Sequence, residues 1–119
     1  MKKEIIDDLI TWINSDLTRP LKIKDVARKA GYSKWHLQRV FYNITNQKLG
    51  NYIRERRLAQ AANDLKCTDD RIIDISMKYG YDSQQSFSRM FVKRYQITPL
   101  GYRKRGRTAN NQCINAHNV

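Results

Sequence analysis

The 119 residues carry 23 Lys and Arg against 11 Asp and Glu, a formal net charge of +12. No apolar run approaches the ~18 residues of a membrane span; Glu4, Asp7 and Asp8 break the signal-peptide pattern that Lys2 and Lys3 open; and Cys67 and Cys113 fit no metal or redox spacing. These bounds leave a small basic chain, expected in the cytoplasm (nucleoid-associated) with both thiols reduced, whose charge calls for a polyanion, nucleic acid foremost, as partner.

Ile5, Ile6, Leu9, Ile10, Trp12 and Ile13 recur at helical spacing, predicting an amphipathic helix over about 3–15. Thr18-Arg19-Pro20 ends it in a turn. A short second helix over about 24–30 turns Val26, Ala27 and Ala30 inward. It stops at Gly31, where a left-handed residue is needed and a Cβ would clash.

Ser33 is placed to cap a third helix over about 34–45. Its apolar stripe is Leu37, Val40, Phe41 and Ile44. The opposite stripe is Trp35, Gln38, Arg39 and Tyr42, where a merely solvated surface would carry Lys and Glu. The fourth helix, over about 48–66, changes face partway: Leu49, Tyr52 and Ile53 lie on one side, and Leu58, Ala61, Ala62 and Leu65 nearly opposite. One end must pack on the helices before it in the chain and the other on the helices after it.

A fifth helix over about 71–79 buries Ile72 and Ile75, with Met77 or Tyr79, and stops at Gly80. A sixth, over about 83–94, buries Phe87, Met90 and Phe91 and shows Gln84, Gln85, Ser88, Arg89 and Val92 to the outside. Thr98-Pro99 opens a seventh that contains Tyr102, with Thr as cap and Pro in the first turn. Residues 103–107 are basic, and the Asn-rich stretch 108–119 is expected to be disordered. No strand signal appears.

The chain says nearly the same thing twice. Ile23, Asp25, Lys29, Gly31 and Tyr32 match Ile72, Asp74, Lys78, Gly80 and Tyr81; Ser33, Leu37, Arg39 and Phe41 match Ser83, Phe87, Arg89 and Phe91. The second copy has one extra residue, Asp82, in its turn, and Tyr52 matches Tyr102. The expected fold is all-α, with about seven helices: two helix-turn-helix (homeodomain-like) subdomains joined by one long linker helix. The expected division is 1–47 and 67–107 for the subdomains, 48–66 for the linker helix and 108–119 for the tail. Subdomains of ~50 residues are marginal alone, so a shared element should hold them together.

In a helix-turn-helix the second helix enters the major groove with its early exposed residues on base edges. Arg39 and Arg89 occupy the same place in the two copies and can pair bidentately with guanine; Gln38, Gln84 and Gln85 can pair with adenine; and Trp35 offers an apolar face to thymine methyls or sugars. The two surfaces differ, which implies an asymmetric site and a chain that need not dimerise. Phosphate candidates are Lys34, Arg54, Arg56, Arg57, Lys93, Arg103 and Lys104, together with His36, Ser83 and Ser86 near the recognition-helix starts. A linker of ~27 Å falls short of the ~34 Å between successive major grooves, so the duplex is expected to bend toward the protein.

Enzyme chemistry finds no support. Asp25 and Asp74 each begin a helix, where the dipole accounts for them. His36 lacks a second ligand at metal spacing, and there is no phosphate-cradling glycine loop, nucleophile elbow or carboxylate cluster. No cofactor, metal or catalytic residue is expected.

Gly31-Tyr-Ser-Lys-Trp-His-Leu-Gln-Arg39, Tyr52-Ile-Arg-Glu-Arg56, Ser83-Gln-Gln-Ser-Phe-Ser-Arg89 and Thr98-Pro-Leu-Gly-Tyr102 together resemble the AraC/XylS family of bacterial transcription regulators, and within it the short MarA/SoxS/Rob/RamA group. The resemblance covers about residues 3–105. It implies a monomeric activator of asymmetric promoter sites that contacts RNA polymerase and controls multidrug-resistance and stress genes; a repressor or architectural DNA-bending protein is the alternative. It also implies that Trp35, Gln38, Arg39, Gln84, Gln85, Ser88 and Arg89 read bases. Larger members carry a separate effector domain for which this chain is expected to have no room, so control by protein amount is expected rather than control by a small molecule.

Overall fold

The computed structural model describes the backbone of residues 2–109 and the side chains of residues 2–107. Among these, seven helices and no strand are present: α1 (Lys2–Ser15), α2 (Ile23–Ala30), α3 (Lys34–Thr45), α4 (Leu49–Cys67), α5 (Ile72–Lys78), α6 (Gln84–Tyr95) and α7 (Pro99–Ala109). The expected all-α fold with two helix-turn-helix units is observed, and element ends agree to within a residue or two. The tail expected to be disordered lies almost wholly outside the described residues. No described helix is long and apolar enough to cross a membrane.

The chain divides into two compact units, with the break between Arg57 and Leu58, inside α4. In the first, α1 supplies Ile6, Leu9 and Ile13, α2 Val26 and Ala27, α3 Leu37, Val40 and Phe41, and α4 Leu49 and Ile53, all buried. The Tyr52 ring leans on Phe41 at 5.6 Å between centroids. Its hydroxyl accepts from the Asn14 amide at 2.9 Å, and the amide's oxygen accepts from Arg56 at 2.7 Å. In the second unit the C-terminal half of α4 buries Leu58, Ala61, Ala62 and Leu65 with Ile75, Phe87 and Phe91. There the Tyr102 ring stands edge-on to Phe91 at 5.4 Å. Asp64, almost fully buried, accepts from the Tyr79 hydroxyl at 2.6 Å and the Lys78 ammonium at 3.1 Å.

Both turns stop their helices as the glycines predict. Gly31 and Gly80 have φ of +78° and +86°. The amide of Gly31 donates to Arg28 and that of Tyr32 to Ala27, while Gly80 donates to Met77 and Tyr81 to Ser76. The same bonds therefore recur 49 residues apart.

Three expectations are corrected. Ile44 is 37% exposed, because the last turn of α3 runs past the core, so its apolar stripe is Leu37, Val40 and Phe41. Between Met77 and Tyr79, Tyr79 is buried and Met77 is 62% exposed; the hydroxyl of Tyr79 has Asp64 to bond, which makes its burial cheap. Cys67, expected as a free thiol, is disulfide-bonded.

A further repeated feature is absent from the helix-turn-helix pattern itself. Arg57 donates through Nε to the Leu17 carbonyl at 2.9 Å and through Nη2 to the Arg19 carbonyl at 2.6 Å. Arg107, fifty residues on, donates through Nε to Lys66 at 3.5 Å and through Nη2 to Thr68, the residues 49 beyond Leu17 and Arg19. Arg103 adds bonds to the carbonyls of Leu65 at 2.8 Å and Asp70 at 2.6 Å. These carbonyls lie at or just beyond helix C-termini, where acceptors lack intrahelical donors and the dipole favours a cation. A planar guanidinium spans two of them at once. Replacing half-buried Arg57 with Ala should cost about 2 kcal/mol of stability, the scale of hydrogen bonds from a charged donor, whereas Arg107→Ala, at an exposed site, should cost less. Arg57→Lys should fail to restore the loss in urea unfolding, because a point charge cannot bridge both acceptors; full recovery would reduce the clamp to charge alone.

Candidate nucleic-acid interface

α3 and α6 begin in the same way. Ser33 and Ser83 sit in extended backbone and accept, through Oγ, the amides of His36 at 3.2 Å and Ser86 at 3.1 Å. Each serine satisfies one of the donors a helix start leaves open. Both helices are twelve residues long and end at a non-glycine residue in the left-handed region, Asn46 at φ 61° and Gln96 at φ 64°. On the inner side, Leu37, Phe41, Phe87 and Phe91 are fully buried. That anchorage fixes which side chains each helix turns outward.

The outward stripe of α3 carries Trp35, 77% exposed, with Arg39 exposed and Gln38 half-buried. On α6, Gln84, Gln85 and Arg89 are exposed and Ser88 is half-buried. The expected base-reading residues thus fall on one face of their own helix in each unit. Lys34, Arg39, Arg89 and Lys93 are exposed, and among the described residues none of them has a side-chain partner. His36, also exposed, lies with its ring 4.6 Å from that of Tyr32. Among the described residues no cluster of His, Cys, Asp or Glu could hold a metal ion.

The remaining phosphate candidates separate by what they touch. Arg54 is exposed and donates to the Asn51 side chain at 3.0 Å. Ser83 donates its hydroxyl to that of Ser86 at 3.1 Å, so both stand at the α6 start in a local network. Lys104 is exposed on α7. Arg56, Arg57 and Arg103 are half-buried and bonded to Asn14 and to main-chain carbonyls. Local sequence could not separate these arginines from the free ones, since their acceptors lie 33 to 42 positions away; the repeat of Arg57 at Arg107 was the available signal.

Two other charged groups are set by local chemistry. Hydrogen bonds from the Thr18 side chain and amide hold the Asp16 carboxyl below the usual carboxylate range. The Arg71 guanidinium, bonded at 2.9 and 3.2 Å, does the same for Asp74 at the start of α5. Both favour the ionised form and steady a turn and a helix start, and neither belongs to the α3 or α6 stripe.

A family profile described as "Helix-turn-helix domain" matches residues 26–105. The chain is 52% identical to the regulatory protein SoxS of Escherichia coli (strain K12) over 103 residues, 87% of this chain and 96% of that one. It is 49% identical to the transcriptional regulator Rob of Salmonella typhimurium over 100 residues, 84% of this chain and 35% of that longer protein. Among solved structures, an AraC-type transcriptional regulator from Chromobacterium violaceum shares the fold, with a TM-score of 0.81, 24% identity and coverage of 91% of this chain and 96% of its own.

If the serine caps hold the first turn of each presenting helix, Ser33→Ala and Ser83→Ala should each cost about 1 kcal/mol. They should also speed amide hydrogen exchange at His36 and Ser86 respectively. Unchanged exchange at those amides would show the caps to be dispensable.

Proposed function

Since this chain belongs to the AraC/XylS family of helix-turn-helix transcription regulators, and within it to the MarA/SoxS/Rob group, we propose that it is an activator that binds an asymmetric promoter site as a monomer, with α3 and α6 in successive major grooves, and recruits RNA polymerase. The observation that carries this reading is a division among the cations. Arg57, Arg103 and Arg107 are occupied by carbonyls, whereas Arg39 and Arg89 stand exposed at repeat-equivalent places beside Trp35, Gln38, Gln84 and Gln85. An exposed guanidinium flanked by amide side chains is the chemistry of guanine and adenine edges.

Backbone contacts fall to Lys34, His36, Arg54, Ser83, Ser86, Lys93 and Lys104, which position the heads without reading sequence. The two stripes are different, so one chain addresses two unlike half-sites and a second copy is not needed. Purified chain titrated onto duplexes of defined sequence, followed by footprinting, tests this directly. Protection of two neighbouring major-groove segments by one chain is expected; a palindromic site held by two copies would overturn the monomer. Transcription reconstituted with purified polymerase separates activation, a rise in product, from repression. Transcript changes on overexpression identify the genes, with multidrug-resistance and stress functions expected.

Two mutant classes should separate. Arg39→Ala or Arg89→Ala should cost ~1–3 kcal/mol and relax preference at one base pair of one half-site. Lys34→Ala should weaken all sequences alike and lower the salt slope by about one. The same uniform loss from both classes in a salt series would refute the division of roles. α4, at 19 residues and ~1.5 Å per residue, is also shorter than a groove repeat of ~34 Å. A duplex engaged by both heads should therefore migrate as bent in circular-permutation gels, and position-independent migration would remove the bend.

A further inference from the structure

Six large apolar side chains are exposed among the described residues: Trp35, Tyr42, Ile44, Met77, Val92 and Leu100. A single exposed apolar residue is ordinary on any protein surface. The internal repeat separates these six. Trp35 is matched by Gln85, Ile44 by Arg94, Met77 by Arg28 and Leu100 by Gly50. Only Tyr42 and Val92 match each other, each the ninth of twelve residues in its recognition helix.

Their settings agree in detail. The Tyr42 carbonyl accepts from the amide of Asn46, and that of Val92 from Gln96, both at 2.8 Å. The helix therefore ends in the same way beyond each of them. Tyr42 follows Trp35 by seven residues and Arg39 by three; Val92 stands likewise to Gln85 and Arg89. At helical spacing these positions share one face. Tyr42 is 46% exposed and Val92 39% exposed, so the core takes up neither.

We propose that Tyr42 and Val92 extend each reading surface by one turn and meet thymine methyl groups in the major groove. The inference rests on the duplex reading above and adds to it a pair of contacts and the base they select. A valine side chain has no hydrogen-bonding atom, so at the groove floor it can recognise only an apolar group. The thymine C5-methyl is the apolar feature that the major groove displays. A position facing phosphate would call for a cation, and in a chain with 23 Lys and Arg both copies of this position lack one. The Tyr42 ring offers an apolar face of the same kind, with its hydroxyl free to bond water or a neighbouring phosphate.

The test removes the methyl rather than the base. A preferred site is selected with the wild-type chain from a randomised duplex pool, and each thymine in it is replaced singly by uracil. One position in each half-site should lose about fourfold in affinity, the worth of one buried methyl. Val92→Ala should abolish that sensitivity in the α6 half-site and keep it in the α3 half-site, and Tyr42→Ala the reverse. Circular dichroism should show unchanged helix content and melting for both variants, as their side chains lie outside the core. Methyl sensitivity that persists in the variants, or a selected site with no sensitive thymine, overturns the inference and leaves the duplex reading intact. Failure of the wild-type chain to select any duplex overturns the reading itself and this inference with it.

Discussion

A helix that serves two cores must change its apolar face partway along, and the rest of this fold depends on that demand being met in α4. Leu49 and Ile53 belong to the unit that ends at Arg57, whereas Leu58, Ala61, Ala62 and Leu65 belong to the unit that begins at Leu58. The extended repeat explains the arrangement. The start of α4 is the counterpart of α7, since Tyr52 matches Tyr102, and its end is the counterpart of α1, since Leu58 stands 49 residues after Leu9. One helix is thus the last element of the first unit and the first element of the second. Neither unit has many core residues to lose, so sharing a helix relieves the shortage of buried surface that small domains face.

The arginine clamps belong to the same economy. Arg57 and Arg107 each gather two carbonyls at or just beyond a helix end, tying the element after the recognition helix to the segment that enters the unit. Arg103 adds a second such tie in the second unit. Positive charge in this chain therefore has two physical roles. One set neutralises helix C-termini and is consumed in the fold. The other stands exposed beside amide and aromatic side chains on α3 and α6, where a polyanion is the natural counterpart. Net charge alone suggested the partner but could not say which cations were available to it.

The two heads share a frame and differ in what they present. Ser33 and Ser83, Gly31 and Gly80, and Asn46 and Gln96 hold equivalent backbone geometry, so the helices are delivered in the same way. Trp35 against Gln85, and Gln38 against Ser88, then change the chemistry without disturbing the scaffold. A repeat that diverges on its exposed stripe gives two presenting helices of unlike chemistry, because core positions resist change and exposed ones do not.

Much of this was legible in one dimension because it is local. Helix periodicity, a serine cap, a glycine that must adopt positive φ, and a threonine-proline helix start each depend on residues within a turn of one another, and the repeat made every such signal appear twice. The exposed stripes were readable for the same reason, as they are complements of the core stripes. What only the tertiary structure decided is long-range. Arg56, Arg57 and Arg103 look alike in sequence as phosphate candidates, and the acceptors they bond, 33 to 42 residues away, are set only by the fold. Tyr79 displaced Met77 from the core because Asp64, fifteen residues earlier, waits for its hydroxyl, and Ile44 was left outside because α3 outruns the surface it packs on. The sequence alone determines which residues can lie on a common face; which of those faces find a partner depends on segments far along the chain, because burial and hydrogen bonding are settled only when distant groups meet.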